Sequence, residues 1–202
     1  MEEYKQIGLK IYKLCSGGIK NGAGIDLLCI GTDRATGDCL GPLVGSMVKH
    51  SLLHLSSFHG VRIFGTLKKP LHAANLVDTV KLLEKRKAER LHIAIDACLG
   101  SEENVGKINV GKGPILPGAS LKKDLPAVGD IFITGIVNTY NTDNGCDILS
   151  HRVILQSTRL SFIMQMSKII ADGIMLALKM LLLTYPQEYG IINEPSEKYI
   201  NI

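Results

Sequence analysis

Short apolar runs alternate with longer amphipathic segments along the first half of the chain. The runs at residues 26–31, 61–65 and 91–96 are brief, rich in Ile, Leu and Val, and bounded by glycine or polar residues. Such runs are typical of strands buried on both faces of a parallel sheet. Between them, residues 40–55 and 70–90 repeat apolar positions at helical spacing. The alternating order of strands and helices, with short connections, predicts a parallel sheet with helices on both faces.

The other segments are less regular, and we assign them from composition and periodicity. Further strands are expected at an edge (106–110), at 130–135 and at 152–158, further helices at 1–14 and 161–185, and loops at 111–123 and 138–145. Together these elements predict an α/β fold, a three-layer α-β-α sandwich with a mainly parallel central sheet. One domain is expected over residues 1–202, with its core at 26–183 and a loose tail at 186–202.

Composition fits this fold and narrows the functional classes. The chain has 202 residues, 46% of them hydrophobic, with 21 glycines and no tryptophan, which suits several strand-to-helix turns around a sizeable core. The net charge is +4, and the basic residues are scattered or mixed with acidic ones. A nucleic-acid binder usually clusters its Lys and Arg residues with aromatics between them, so specific nucleic-acid binding is not expected.

Cysteine usage and hydropathy set the expected compartment. The five cysteines form no CxxC pair and are odd in number, which argues against a disulfide framework or a structural zinc site. The chain opens on an acidic segment with no apolar run behind it, unlike a signal peptide. The most apolar stretch, 169–183, is interrupted by Asp172 and Lys179 and is too short to span a bilayer. We therefore expect a cytoplasmic protein that does not bind membranes.

Candidate chemistry begins in the polar segment between the first strand and its helix, residues 31–42. This segment holds Asp33, Arg34 and Asp38, and it lies at the carboxyl edge of the predicted sheet, where α/β proteins place their sites. Asp38 also has a simpler explanation as the N-cap of the helix, because Asp is a favoured cap. The segment lacks the GxGxxG and GxxxxGK[ST] patterns of phosphate-binding loops. The functional interpretation of Asp38 therefore depends on a second residue.

That second residue is Asp96, which ends the third buried strand. A carboxylate there must be paired, hydrogen-bonded, metal-bound or protonated, because an unpaired buried charge is costly; the simpler alternative is a capped turn after the strand. The first and third strands of such a sheet can lie side by side, which would bring Asp38 and Asp96 to one cleft. Two carboxylates that share a cleft split their titrations into one acid and one base, and the pair can activate water or hold a divalent metal.

Other reactive side chains are weaker candidates. No GxSxG motif marks a serine nucleophile. Cys39 and Cys98 each follow closely on a candidate aspartate, whose negative charge raises the pKa of a thiol, so we interpret both as small buried residues. His72, near the start of the second helix, could reach the rim of the cleft, although a histidine there is more often structural. His92 lies inside a strand and is interpreted as a core residue.

The two aspartate segments together resemble the YyaC-type sporulation proteins. The residues that carry the resemblance are CIGTDRATGDCLGPL at 29–43 and IAIDACLG at 93–100, extended by GKGPILPGA at 111–119 and VGDIFITGIVN at 128–138. The resemblance covers about residues 26–183. That group is similar to the germination protease of spore-forming bacteria, which degrades small acid-soluble spore proteins, and more distantly to the hydrogenase maturation peptidases.

The resemblance implies a phosphorylase/hydrolase-like fold and an aspartate-based site. The germination protease has one aspartate in a D-x-L-G-P segment and one in an I-D-A segment, which Asp38 and Asp96 match. The hydrogenase maturation peptidases add a late histidine that helps bind nickel, whereas this sequence has no histidine between His92 and His151. The chain is also much shorter than the germination protease, so its substrate-binding insertions and propeptide are not expected here.

The leading hypothesis is a peptidase of spore formation or germination, in the cytoplasm of the forespore or mother cell, with Asp38 and Asp96 as the catalytic pair. Asp33, Thr66, His72 and Lys122 are binding candidates at the rim, with Lys69 and Lys123 beside them. We expect no cofactor and a protein or peptide substrate. A homo-oligomer is compatible with the sequence. The rival is a non-catalytic sporulation protein that keeps the fold and binds a protein partner, and a third alternative is a small-molecule hydrolase.

Overall fold

The computed structural model describes residues 2–18, 24–53, 60–85, 90–118, 125–139 and 148–185. Five helices are described there: α1 Glu3–Gly18, α2 Leu40–Leu53, α3 Ala73–Glu84, α4 Ile148–Ser157 and α5 Leu160–Thr184. Five strands accompany them: β1 Gly24–Cys29, β2 Val61–Phe64, β3 Arg90–Gly100, β4 Ile108–Lys112 and β5 Ile131–Thr139. Within these ranges, no helix is long and apolar enough to cross a bilayer.

The strands form one sheet in the order β2-β1-β3-β5-β4. β1 pairs in parallel with β2 and β3, and β3 pairs in parallel with β5. β4 lies at the edge and runs antiparallel to β5. The predicted mainly parallel sheet is confirmed, and the predicted edge strand at 106–110 is β4. The order makes β1 and β3 direct neighbours, so their carboxyl ends lie side by side.

Helices cover both faces of the sheet, which gives the predicted three layers. Ile25, Ile93 and Ile133 point to the larger core, where α1, α2 and α5 pack. Alternate residues such as Leu28 and Ala94 point to the opposite face, where α3 packs. Residues of a strand alternate between the two faces, so each core receives every second side chain.

A buried ion cluster stands at the amino end of the sheet, opposite the carboxyl ends of the strands. Asp26 of β1 is fully buried and accepts hydrogen bonds from Arg62 of β2 (2.6 and 2.8 Å) and from Nε of Arg90 of β3 (2.7 Å). His92 Nε2 lies 3.5 Å from the same carboxylate. Buried carboxylates need such partners because desolvation of a lone charge is costly. His92 is thus a buried residue, as expected from its position inside a strand.

One predicted element is wrong. The segment 152–158, expected to be a strand, belongs mainly to helix α4. His151 and Thr158 are buried and Ile154 and Leu155 are partly buried, so the buried positions recur at three- and four-residue spacing. Val153, by contrast, is 63% exposed. The β-branched residues of this segment therefore lie on a helix whose burial pattern decides the structure.

Other boundaries differ by a few residues. The second predicted helix begins at Ala73 and not at residue 70, because Leu71 bridges to Ile30 beside the sheet and His72 caps the helix. β3 continues to Gly100 and β5 to Thr139, beyond the apolar runs that predicted them. The predicted tail at 186–202, most of the turn at 138–145 and part of the loop at 111–123 lie outside the described residues.

Candidate active site

The chain reverses direction directly after β1, and Gly31 makes this turn. Its φ of +133° lies in the region that favours glycine, and a Cβ there would overlap the backbone oxygen of Asp38. Ile30 donates its N–H to the Ile95 carbonyl (2.8 Å), and Gly31 donates to the Leu71 carbonyl (2.8 Å). The turn is thereby fixed to the sheet, and it brings Asp38 back over the end of β1.

Asp38 sits in a 3₁₀ turn, Thr36–Cys39, that leads directly into α2. The N–H of Thr32 donates both to the backbone oxygen and to Oδ2 of Asp38, each at 3.1 Å. The Asp38 side chain therefore connects the loop after β1 to the start of α2. This role goes beyond capping the helix. The positive end of the α2 dipole and the Thr32 N–H both stabilise a negative charge on Asp38.

Asp96 is the first residue of β3 beyond the end of β1. The pairing of β1 with β3 runs from Gly24 opposite Arg90 to Cys29 opposite Ile95. β5 continues alongside β3, with Thr134 opposite Asp96. The Asp96 side chain is partly buried, and its Oδ1 accepts the N–H of Ala97 at 2.9 Å. The carboxylate thus stands where β1 stops and the loop that carries Asp38 begins.

The two carboxylates interact electrostatically. The pKa of Asp96 is raised well above 3.8, first because burial removes water from the charged form and second because of the negative charge of Asp38. The N–H of Ala97 acts in the opposite direction and does not offset these two effects. One raised pKa is what two carboxylates in a shared cleft predict. The raised pKa favours the protonated form of Asp96, which can then act as an acid beside the Asp38 carboxylate.

The neighbouring thiols are poor nucleophiles. The pKa of Cys39 is raised by burial and by the charges of Asp33 and Asp38. The pKa of Cys98 is raised mainly by burial and further by Asp96, against a hydrogen bond with Thr134. Because the thiolate is the reactive form, neither residue is activated at neutral pH. The low reactivity agrees with the interpretation from sequence; Cys39 is buried as predicted, whereas Cys98 is only partly buried.

Two of the four predicted rim residues, Thr66 and His72, make local structural contacts, and the binding role of all four stays a prediction. Asp33 is exposed on the loop between β1 and α2. Thr66 Oγ1 accepts the N–H of Lys69 at 3.1 Å in the turn after β2. His72 Nδ1 accepts the N–H of Ala74 at 3.3 Å as the N-cap of α3, which supports its structural interpretation. Lys122 lies outside the described residues.

The residues that support the Asp38 turn from α4 are not predicted from the sequence. Asn138, at the end of β5, donates to the Ile154 carbonyl (3.2 Å) and to Thr158 Oγ1 (3.1 Å). Gly37 packs against Leu155 and Thr158 so closely that a Cβ would come within 3.0 Å of both. The sequence signal for this support is Asn138, a polar residue shortly after the apolar run 130–135. The sequence predicts a turn there because the apolar run ends at residue 135, whereas β5 continues to Thr139.

A nickel site of the kind implied by the hydrogenase maturation peptidases needs a third ligand beside the two aspartates. Among the residues whose structure is described, no group of three His, Cys, Asp or Glu side chains could hold a metal ion. That part of the chain does not fit such a site.

Comparison with known proteins connects the chain to one family. The family model described as "Protein of unknown function (DUF1256)" matches residues 2–173. The protein named "Uncharacterized protein YyaC" from Bacillus subtilis (strain 168) is 41% identical over 169 residues, which are 83% of this chain and 77% of that protein. Among solved structures, the [NiFe] hydrogenase maturation protease HycI from Thermococcus kodakarensis KOD1 is similar at 13% identity and a TM-score of 0.44. That similarity covers 76% of this chain and 93% of HycI.

Proposed function

The chain belongs to the DUF1256 family, and we propose that it is a peptidase that hydrolyses peptide bonds with Asp38 and Asp96. The observation that carries this proposal is the raised pKa of Asp96, which depends in part on the charge of Asp38. Hydrolysis of an amide needs a base to activate water and an acid to protonate the substrate. A carboxylate pair with separated titrations can supply both.

The roles follow from the surroundings of each carboxylate. Asp38 accepts the Thr32 N–H beside the start of α2 and is the base that takes a proton from the attacking water. As the water oxygen bonds to the carbonyl carbon, Asp96 gives its proton to the carbonyl oxygen. The tetrahedral intermediate then breaks its C–N bond, Asp38 passes its proton to the leaving amine, and the carbonyl O–H returns its proton to Asp96. Both carboxyl groups end in their starting states.

The setting of this activity is proposed from the sequence resemblance. The match of the two aspartate motifs to the germination protease supports a role in spore formation or germination, in the cytoplasm of a spore-forming cell. It also supports a protein or peptide substrate, with small acid-soluble spore proteins as the first substrates to test. A homo-oligomer is compatible with this function, and nucleic acid and membranes have no part in it.

The test is digestion of purified small acid-soluble spore proteins by the wild type, Asp38→Asn and Asp96→Asn. Both substitutions are nearly isosteric and keep an oxygen that can accept the Thr32 and Ala97 N–H groups. We expect each variant to lose about a hundredfold or more in rate, as removal of a general acid or base does. Thermal melts of the same samples check that folding is retained.

Asp172→Asn is the matched control, because the Asp172 side chain on α5 is 44% exposed and pairs with Lys168 at 2.8 Å. It should cleave at the wild-type rate. Equal cleavage by the wild type and by both site variants would refute the carboxylate pair. Absence of cleavage by the wild type would favour the non-catalytic, partner-binding alternative.

A further inference from the structure

A row of three polar side chains crosses the α3 side of the sheet, from the proposed catalytic acid to the sheet edge. Asp96 on β3 is opposite Thr134 on β5, and Thr134 is opposite Asn109 on β4. Residues opposite each other in a sheet point to the same face, so the three side chains form one line. Asn109 is exposed, and Asp96 and Thr134 are partly exposed.

The neighbouring positions on the same three strands point to the opposite face of the sheet, which is buried. Ile95, Ile133 and Val110 occupy the preceding or following position on the same three strands and point to the opposite face, where they are buried in the core. On the face that carries the row, α3 packs against β1 and the first half of β3. Among the described helices, none packs over the β5 and β4 part of that face.

We propose that this row is the substrate-binding surface and that it takes an extended peptide by its main chain. The Asn109 amide can donate and accept hydrogen bonds, as backbone N–H and C=O groups require. The Thr134 hydroxyl is hydrogen-bonded to Cys98 and has capacity for a further hydrogen bond. Neither carries a charge, so the row does not select for charged side chains. The row is continuous with Asp96, so a chain bound along it has a peptide bond beside the proposed acid.

The length of the row sets the size of the bound segment. Neighbouring strands are about 4.8 Å apart, so the row from β3 to β4 is about 10 Å long. An extended chain advances about 3.3 Å per residue, so about three residues bind along the row. The identity of the occupant rests on the proposed peptidase function, whereas the location of the surface rests on the register of the three strands.

Peptide retention tests the surface without relying on cleavage. Full-length Asp96→Asn protein is immobilised and exposed at pH 7 to an equimolar mixture of randomised octapeptides, and the retained peptides are quantified by mass spectrometry. Asn109→Arg places a long charged side chain in the row, and Gln165→Arg places the same side chain on an exposed position of α5 as the control. Both are made in the Asp96→Asn protein.

We expect the Asn109→Arg protein to retain at least tenfold less peptide and the Gln165→Arg protein to retain as much as its parent. Thr134→Val should also lower retention, and Thr134→Ser, which restores the hydroxyl, should recover it. Equal retention by the Asn109→Arg protein, or no retention by the parent, would overturn the inference. Retention that depends on Asn109, together with a wild type that cleaves nothing, would support the surface and refute the peptidase activity.

Discussion

Asp38 raises the pKa of Asp96 although the two residues belong to different β-α units of the chain. The sheet order explains the interaction, because β1 and β3 are neighbours and β1 stops one residue before the position of Asp96. The Gly31 turn then returns the chain so that Asp38 lies over this end. The pair is therefore a product of topology and of one turn, and each can be tested by substitution.

Asp96→Asn should stabilise the protein at neutral pH. The raised pKa means that the folded protein holds the Asp96 proton more tightly than the unfolded chain does. The contribution of Asp96 protonation to the free energy of unfolding is fully present below about pH 3.8. It is lost as the pH rises through the pKa that Asp96 has in the folded protein. Asparagine has no such proton to lose, so the variant should exceed the wild type by about 1.4 kcal/mol for each unit by which the pKa is raised.

Urea unfolding of both proteins between pH 4 and pH 8 measures this difference. The advantage of Asp96→Asn should be smallest at pH 4 and grow towards pH 8. A variant that is less stable than the wild type at pH 8 would contradict the raised pKa of Asp96.

Gly31→Ala should destabilise the protein and displace Asp38. Alanine at a φ of +133° is strained, and its Cβ would overlap the Asp38 backbone oxygen, so we expect a loss of about 1–3 kcal/mol. Gly17→Ala is the control, since Gly17 lies in α1 with open space around it. That change should be neutral or stabilising by up to about 1 kcal/mol. Equal melting temperatures for the two variants would refute the role of Gly31.

Asp26→Asn should be far more damaging than removal of a surface carboxylate. It leaves Arg62 and Arg90, whose side chains are each only 16% exposed, without their shared anion. We expect the free energy of unfolding to fall by about 3–5 kcal/mol. Asp172→Asn breaks the exposed pair with Lys168 and should cost at most about 0.5 kcal/mol. Chemical denaturation measures both. Similar losses for the two variants would show that the buried cluster contributes little to stability.

Cys39→Ala and Cys98→Ala should keep the proposed peptidase activity within a few-fold of the wild type. Burial and nearby aspartates raise the pKa of both thiols, so neither supplies a thiolate at neutral pH. Initial rates on small acid-soluble spore proteins measure the effect. A loss of about a hundredfold in either variant would identify a thiol nucleophile and exclude the carboxylate mechanism.

The sequence predicted the parts of the fold that depend on local patterns. The apolar runs identified β1, β2, β3 and β5, and their alternation with helices identified the parallel sheet, because buried parallel strands have a distinct composition. The strand predicted at 152–158 was wrong. Val153 and Ile154 have strand propensity, but the packing of His151 and Leu155 against the rest of the protein favours a helix.

The site was only partly predictable for a related reason. Asp38 and Asp96 stand out because charged residues end or follow apolar runs. The row through Thr134 and Asn109 has no sequence signal, since it depends on the register of three strands that are distant along the chain. The support of the Asp38 turn by Asn138 and Thr158 likewise depends on long-range contacts.

Direct titration of the Asp96 carboxyl group by carbon-13 NMR tests the coupled acid–base pair most directly, in the wild type and in Asp38→Asn. In the wild type, the midpoint should lie well above 3.8. In Asp38→Asn it should fall, because the negative charge is removed, yet stay above 3.8, because the burial of Asp96 is unchanged. A wild-type midpoint near 3.8, or a midpoint that Asp38→Asn leaves unchanged, would contradict the pair.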